Sequence, residues 1–259
     1  MTEAEWLACT DPRPMLRMLI GSNYPRVQAV ETFPDCITSD RKLRLFACAC
    51  YHRICHLLPD LRALVAVNVA ERFADGIVSE SERQRAETMV REVLNAMEQR
   101  WRASEGAERS CLLPTHEALA LAGVALWDQP QKAAYYAYSN ASIAVAAIEN
   151  AGATSVNPGT SYASRAAEER AQTDLIRCIF VTLPFRPVHL APSLLTWNDA
   201  TIPKIAEAIY EDRAFERLPI LADALEEAGC TDTNILDHCR TPGEHGRGCW
   251  PVDLVLGKS

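Results

Sequence analysis

The chain has 259 residues, of which 48% are hydrophobic and 23% charged, an ordinary composition for a globular protein with a sizeable core. Its net charge of −8 argues against a surface built to neutralise nucleic-acid phosphates, so nucleic acid is not an expected partner. No apolar run approaches the roughly 18 residues of a membrane-spanning helix, and the acidic start lacks the features of a signal peptide. We therefore expect a cytoplasmic protein whose ten cysteines are thiols or metal ligands.

Helical periodicity runs through most of the sequence, whereas alternating, strand-like patterns are nearly absent. Between Ser39 and Leu58 the apolar residues recur at the spacing of one buried helix face. Ser79 and Glu82 form the signature of a capping box, which opens a long charged helix. The polar segment 104–111 is the best candidate for a hinge.

The C-terminal third of the sequence has a different character. Residues 183–199 carry three prolines, so we expect an irregular segment there. Helices then follow near residues 201–215, 217–228, 231–240 and 250–256. Gly229 is expected to end one helix and Thr231 to cap the next. We predict an all-α fold of about 8–10 helices, with a main domain (1–182) and a C-terminal helical lobe (183–259) packed on it, or with both in one domain.

The stretch 228–250 holds the densest group of potential metal ligands in the sequence. Its spacing, Cys230-x8-Cys239-x5-His245-x3-Cys249, equals that of a CCCH zinc finger in which the last two ligand types are exchanged. Zinc accepts any such mixture of thiolates and imidazoles in a tetrahedral site. The spacing therefore indicates a candidate zinc site.

Helix geometry limits which of these residues can bind one ion. If residues 231–240 are helical, Cys230 and Cys239 lie roughly 13 Å apart, because a helix rises about 1.5 Å per residue. That distance is too long for two ligands of one zinc ion. Two interpretations remain. The cysteines are small packing residues, which we prefer, or Cys239, His245 and Cys249 bind zinc with a remote fourth ligand.

A second cluster of potential ligands lies on the helix that begins near Ser39. Cys48, His52 and His56 follow each other at intervals of four residues, so their side chains can project along one face. This pattern lacks the glutamate of the HExxH metalloprotease motif. It is an alternative metal site, although a core stripe bordered by two histidines is the interpretation that we prefer.

Five segments carry a resemblance to a known family. They are MTEAEWLACTDPRPML, SDRKLRLFACACYHRI, PFRPV, LPILADALEEAGCTDTNILDHCR and HGRGCWPVDLVLGK. In this order they resemble a family of uncharacterised bacterial helical proteins that occur as many paralogous copies. The resemblance covers residues 1–75 and 175–258, and this chain has Thr182-Leu183 where relatives often carry Gly-Asn. It implies a helical, cytoplasmic protein, and no activity, cofactor or catalytic residue is attached to the family.

Three functions are consistent with these patterns. The first is a non-enzymatic helical module that binds a protein partner, since recognisable catalytic motifs are lacking and amphipathic helices are abundant. The second is a zinc-binding regulatory protein that uses one of the two cysteine and histidine clusters. The third and weakest is an enzyme without a recognisable signature, using carboxylates such as Asp223 and Glu226 on one helix face.

Overall fold

A computed structural model describes residues 1–20, 38–57, 60–148, 158–180 and 188–258. These residues form twelve α-helices and two short 3-10 helices, and no strand occurs among them. The prediction of an all-α fold is confirmed. The α-helices exceed the predicted number of about 8–10. One reason is that the N-terminal region contains two short helices, separated where Cys9 adopts an extended backbone.

The helices are numbered in chain order. Their bounds are α1 Glu3–Ala8, α2 Pro12–Ile20, α3 Asp40–Ile54, α4 Leu61–Ala74, α5 Glu80–Ala103, α6 Gly106–Val124, α7 Pro130–Ile148, α8 Pro158–Phe180, α9 Pro192–Asp212, α10 Leu218–Glu227, α11 Thr233–Arg240 and α12 Trp250–Leu256. The 3-10 helices are Cys55–Leu57 and Phe215–Arg217. None of the helices in the described ranges combines the length and apolar character needed to cross a bilayer.

The chain divides into two compact units, Met1–Thr173 and Asp174–Ser259. The division falls inside α8, whereas the predicted C-terminal lobe begins at residue 183. Every residue of the candidate metal centre described below belongs to the second unit.

In the first unit, α3 packs against α4, α6 and α7, and its apolar face is buried as the periodicity predicts. The predicted capping box of Ser79 and Glu82 opens α5. Arg44 is buried, and its guanidinium donates hydrogen bonds to the carbonyls of Ala125 (2.9 Å) and Trp127 (2.7 Å). These carbonyls follow the end of α6 and lack a partner within that helix, so the buried cation stabilises the turn between α6 and α7.

In the second unit, α9 packs against α10 and α12, and α10 packs against α11. The core is apolar and includes Ile202, Ile209, Leu221, Leu225, Ile235, Trp250 and Val252. Cys178, Cys239 and Cys249 are buried in the same cluster. The short helices α11 and α12 therefore depend on tertiary packing, because helices of this length are marginal on their own.

Two predictions in this unit need correction. The segment 183–199 was expected to be irregular; residues 181–187 lie outside the described ranges, but α9 already begins at Pro192. Proline is well tolerated in the first turn of a helix, where its missing N–H costs no hydrogen bond. The cap of α11 is Asp232 rather than Thr231, because the Asp232 carboxylate accepts the bond from the Asn234 N–H.

Candidate metal centre

Four side chains of the second unit converge on one point. Cys178, His238, His245 and Cys249 each offer a ligand atom, and these atoms all lie within 4.8 Å of one another. Both thiols are buried, with Cys178 1% and Cys249 0% exposed, and both imidazoles are partly buried. The four residues are a group that could hold a metal ion.

Two of the four residues lie on helices. Cys178 is in the last turn of α8, next to the buried Ile179. His238 is in the last turn of α11, where the buried Ile235 and Cys239 anchor the inner face of the helix. His238 follows Ile235 by three residues, so its ring borders this inner face and reaches the cluster.

The other two ligand candidates come from the segment between α11 and α12. Arg247 fixes this segment by donating hydrogen bonds to the Tyr210 carbonyl (3.2 Å) and the Glu211 carbonyl (3.3 Å) near the end of α9. The N–H of Cys249 donates to the Gly246 carbonyl (2.9 Å), which closes a four-residue turn. Gly248 occupies the third position of this turn with φ 91°, as a type II turn requires. The turn places Cys249 immediately before the start of α12.

Two sulfur–nitrogen distances inside the cluster fit a tetrahedral zinc site. Bonds of about 2.3 Å to sulfur and 2.0–2.1 Å to nitrogen place a sulfur and a nitrogen ligand about 3.5 Å apart at the tetrahedral angle. Cys178 Sγ lies 3.4 Å from His245 Nδ1, and Cys249 Sγ lies 3.5 Å from His238 Nε2. Metal binding would therefore require little rearrangement of these two pairs.

The electrostatics of the cluster favour a thiolate. Burial by itself raises the pKa of the Cys178 thiol, but hydrogen bonds from Cys249 and both histidines outweigh it and hold that pKa well below its ordinary value. Burial and the neighbouring Cys178 raise the pKa of Cys249 well above its ordinary value. Burial lowers the pKa of His245, but the hydrogen bond with Cys178 outweighs it and raises this pKa. Ionisation is therefore easier at Cys178 than at Cys249, and a bound dication would favour ionisation of the second thiol as well.

The structure brings together two of the three residues predicted for the C-terminal site. His245 and Cys249 belong to the cluster, whereas Cys239 does not. Cys239 packs in the apolar core, where burial raises the pKa of its thiol to about 12. Cys230 is also buried and does not belong to the cluster.

The alternative site on α3 is not assembled among the described residues. The Cys48 thiol lies in the core, 4.0 Å from the Val67 carbonyl. His52 Nε2 lies 3.0 Å from a carboxylate oxygen of the buried Glu71. His56 is exposed in the 3-10 helix that follows α3, because the change of helix type after Ile54 alters the four-residue register.

The carboxylates of Asp223 and Glu226 on α10 both bind one cation. Arg240 donates to Asp223 (2.8 Å) and to Glu226 (2.6 Å), and all three side chains are exposed. This arrangement joins α10 to α11 at the surface and offers no sheltered acid for catalysis.

The sequence prediction missed Cys178 and His238. His238 is adjacent to Cys239, and neighbouring residues on a helix point in directions about 100° apart, so only the packing of α11 decides which one faces the loop. The spacing His238-x6-His245-x3-Cys249 is the sequence signal that could have identified His238 as a ligand candidate. Cys178 is remote in sequence, and only the expectation of a distant fourth ligand pointed to it.

Comparisons with known proteins assign no function to this cluster. No family model, no curated protein and no solved structure matches the chain.

Proposed function

We propose that the protein is a non-enzymatic zinc protein, in which one Zn²⁺ bound by Cys178, His238, His245 and Cys249 fixes the C-terminal unit. The observation that carries this proposal is the convergence of four nitrogen and sulfur donors within 4.8 Å of one another. The two sulfur–nitrogen separations of 3.4 and 3.5 Å support it, because they fit tetrahedral coordination.

The donor set favours zinc over other metals. Thiolates and imidazoles in a tetrahedral arrangement suit Zn²⁺, whereas Mg²⁺ and Ca²⁺ prefer oxygen ligands. Four protein ligands also fill the coordination sphere of zinc, which leaves no position for a reactive water. The proposed role of the ion is therefore structural.

A structural ion has a clear task in this unit. The segment between α11 and α12 is short, and so is α12 itself. The two buried thiols, those of Cys178 and Cys249, come from widely separated positions in the sequence. Because the unfolded chain offers no assembled site, the free energy of binding the ion would contribute directly to folding of this unit.

Elemental analysis tests the proposal. The protein, purified without added metal and dialysed against a weak chelator, is expected to contain about one equivalent of zinc, because structural sites bind tightly. Replacement of the ion by Co²⁺ should give the visible absorption of a tetrahedral thiolate site. A zinc content below about a tenth of an equivalent, with no cobalt spectrum, rejects the proposal.

A second candidate function, binding of a protein partner, rests on α4. Leu61 and Val65 are 73% and 52% exposed. They lie four residues apart, so their side chains adjoin on one face of the helix. Two neighbouring large apolar side chains in water favour a role in protein contacts.

Recovery of partners from the native host tests this second candidate. Wild-type protein is expected to recover a stoichiometric protein partner, and the L61E/V65E double variant is expected to lose it. I220E is the matched control, since Ile220 is 56% exposed on α10 and lies in the other unit. Repeated recovery of the wild-type protein alone would count against a partner.

A further inference from the structure

The two histidines of the metal centre differ in their outer hydrogen-bond partners. His245 Nδ1 faces Cys178, and the ring also makes a hydrogen bond with the main chain of Thr241 that raises its pKa. A main-chain carbonyl is the kind of acceptor that usually orients a metal-binding histidine. His238 has a different partner. Its Nδ1 lies 3.1 Å from the indole Nε1 of Trp250.

The indole fixes the position of the ring proton of His238 in the metal-free centre. A tryptophan Nε1–H is a donor only, so His238 Nδ1 must be the acceptor in this contact. A neutral imidazole then carries its proton on Nε2. That nitrogen points to the cluster and lies 3.5 Å from Cys249 Sγ.

Zinc ligation needs the opposite arrangement. A metal bound to Nε2 takes the lone pair of that nitrogen, so the proton of the neutral ring must be on Nδ1. Two N–H groups, those of His238 and Trp250, would then face each other at 3.1 Å. The indole hydrogen bond and ligation through Nε2 therefore exclude each other in this geometry.

We propose that Trp250 is the metal-responsive side chain of the centre: binding of zinc breaks its hydrogen bond to His238 and displaces the indole. The proposal rests on the proposed zinc-binding function and adds a regulatory element to the same site. The ring of His238 keeps one proton, which moves from Nε2 to Nδ1 through solvent. Trp250 is the first residue of α12 and packs in the core of the unit. A shift of the indole would therefore also move the start of that helix.

The indole hydrogen bond lowers the affinity for zinc, because it stabilises only the metal-free state. Removing the donor should weaken that state and leave the zinc-bound state nearly unchanged. One hydrogen bond contributes about 1 kcal/mol, so its loss should raise the affinity for zinc by about fivefold. Trp250→Phe removes the N–H and keeps an aromatic ring.

Competition titrations with a chromophoric chelator measure this effect. W250F should bind zinc about fivefold more tightly than the wild type, whereas W197F should equal the wild type. Trp197 is a matched control, because it is a tryptophan packed against the same core and is not a neighbour of His238 in the chain. Equal or weaker binding by W250F overturns the inference.

Nitrogen-15 NMR of the histidine rings in the wild-type protein tests the inference without a variant. The metal-free protein should show His238 protonated at Nε2, and addition of zinc should move the proton to Nδ1 and shift the indole N–H signal of Trp250. An unchanged indole signal in zinc-bound protein overturns the inference alone. If neither the wild type nor W250F binds zinc, the proposed function fails and the inference falls with it.

Discussion

At the scale of single residues, chemistry in the C-terminal unit depends on which cysteine faces which neighbour. Cys178, Cys239 and Cys249 are equally buried, yet only Cys178 and Cys249 belong to the candidate metal centre. Burial therefore does not identify a ligand. What distinguishes these two thiols is a partly exposed histidine within 3.5 Å of each sulfur.

This distinction predicts different outcomes for two matched substitutions. Cys178→Ser should lower zinc affinity by more than about 100-fold, since even outer-shell changes cost 10–100-fold. Cys239→Ser should retain about one equivalent of zinc, because that thiol lies outside the cluster. Elemental analysis after gel filtration in a weak chelator compares the two variants. Equal zinc contents in both would contradict the assignment of Cys178.

Cys230 offers a prediction about packing. Its side chain is 7% exposed and belongs to the apolar core of the unit. Cys230→Ser should cost about 1–2 kcal/mol of stability, because it buries a hydroxyl, and should leave the zinc content unchanged. Urea unfolding at constant zinc measures the cost. A loss of zinc in this variant would show that Cys230 takes part in the metal site.

Sequence reasoning reached half of the cluster at this scale. His245 and Cys249 follow from their close spacing. The choice between His238 and Cys239 depends on the rotation of α11 about its axis, which the packing of Ile235 and Leu236 determines. Residue types in a short window carry no information on that rotation.

At the scale of elements, local rules predicted some helix starts and missed others. The capping box of Ser79 and Glu82 opens α5 as expected, because the two side chains satisfy backbone donors reciprocally. The proline rule failed at Pro192, where the residue lies in the first turn of α9 instead of breaking a helix. Within α9, Trp197 is extended and residues 198–200 are left-handed, and the internal proline Pro203 follows that break closely.

The break in α9 carries a prediction about backbone strain. Ala200 has φ 58°, which costs an L-residue with a Cβ roughly 1–2 kcal/mol. Ala200→Gly should therefore stabilise the protein by about 0.5–1 kcal/mol, the rest being offset by the greater freedom of glycine in the unfolded chain. Denaturant unfolding measures the change.

Ala206 provides the control for this prediction. It lies in the second part of α9 and is fully buried. Ala206→Gly should destabilise the protein by about 1 kcal/mol or more, because glycine is unfavourable inside a helix and the methyl group is lost from the core. Destabilisation of similar size by both substitutions would argue against the left-handed backbone at Ala200.

At the scale of the whole molecule, the candidate metal centre belongs to one of the two units. The first unit contains long helices such as α5 and partly buried ion pairs such as Arg53 with Glu168 (2.9 Å). The second unit contains α9, the short helices α10, α11 and α12, and all four residues of the candidate metal centre. The all-α class was predictable from periodicity, whereas the meeting of Cys178 with the three later residues depends on tertiary packing.

Removal of zinc should therefore affect the two units unequally. After treatment with a strong chelator, amide hydrogen exchange in residues 218–258 should accelerate by more than about tenfold, because binding of the proposed ion would contribute to folding of that unit. Exchange in residues 61–148 should change little, because none of the four ligands lies there. Readdition of Zn²⁺, but not Mg²⁺, should restore protection. Uniform acceleration along the chain would contradict a local structural role.

The long separation between Cys178 and the other three residues has a consequence for the unfolded chain. His238, His245 and Cys249 are neighbours in sequence, but positions 178 and 238 are 60 apart. An ion that joins them closes a long loop and removes conformational entropy from the denatured ensemble, as a disulfide would. In the chain-entropy treatment of cross-links, a loop of this length is worth on the order of 4 kcal/mol. Through the ion, Cys178 would thus form a reversible cross-link between the start of the C-terminal unit and its later ligands, without any covalent bond between protein atoms.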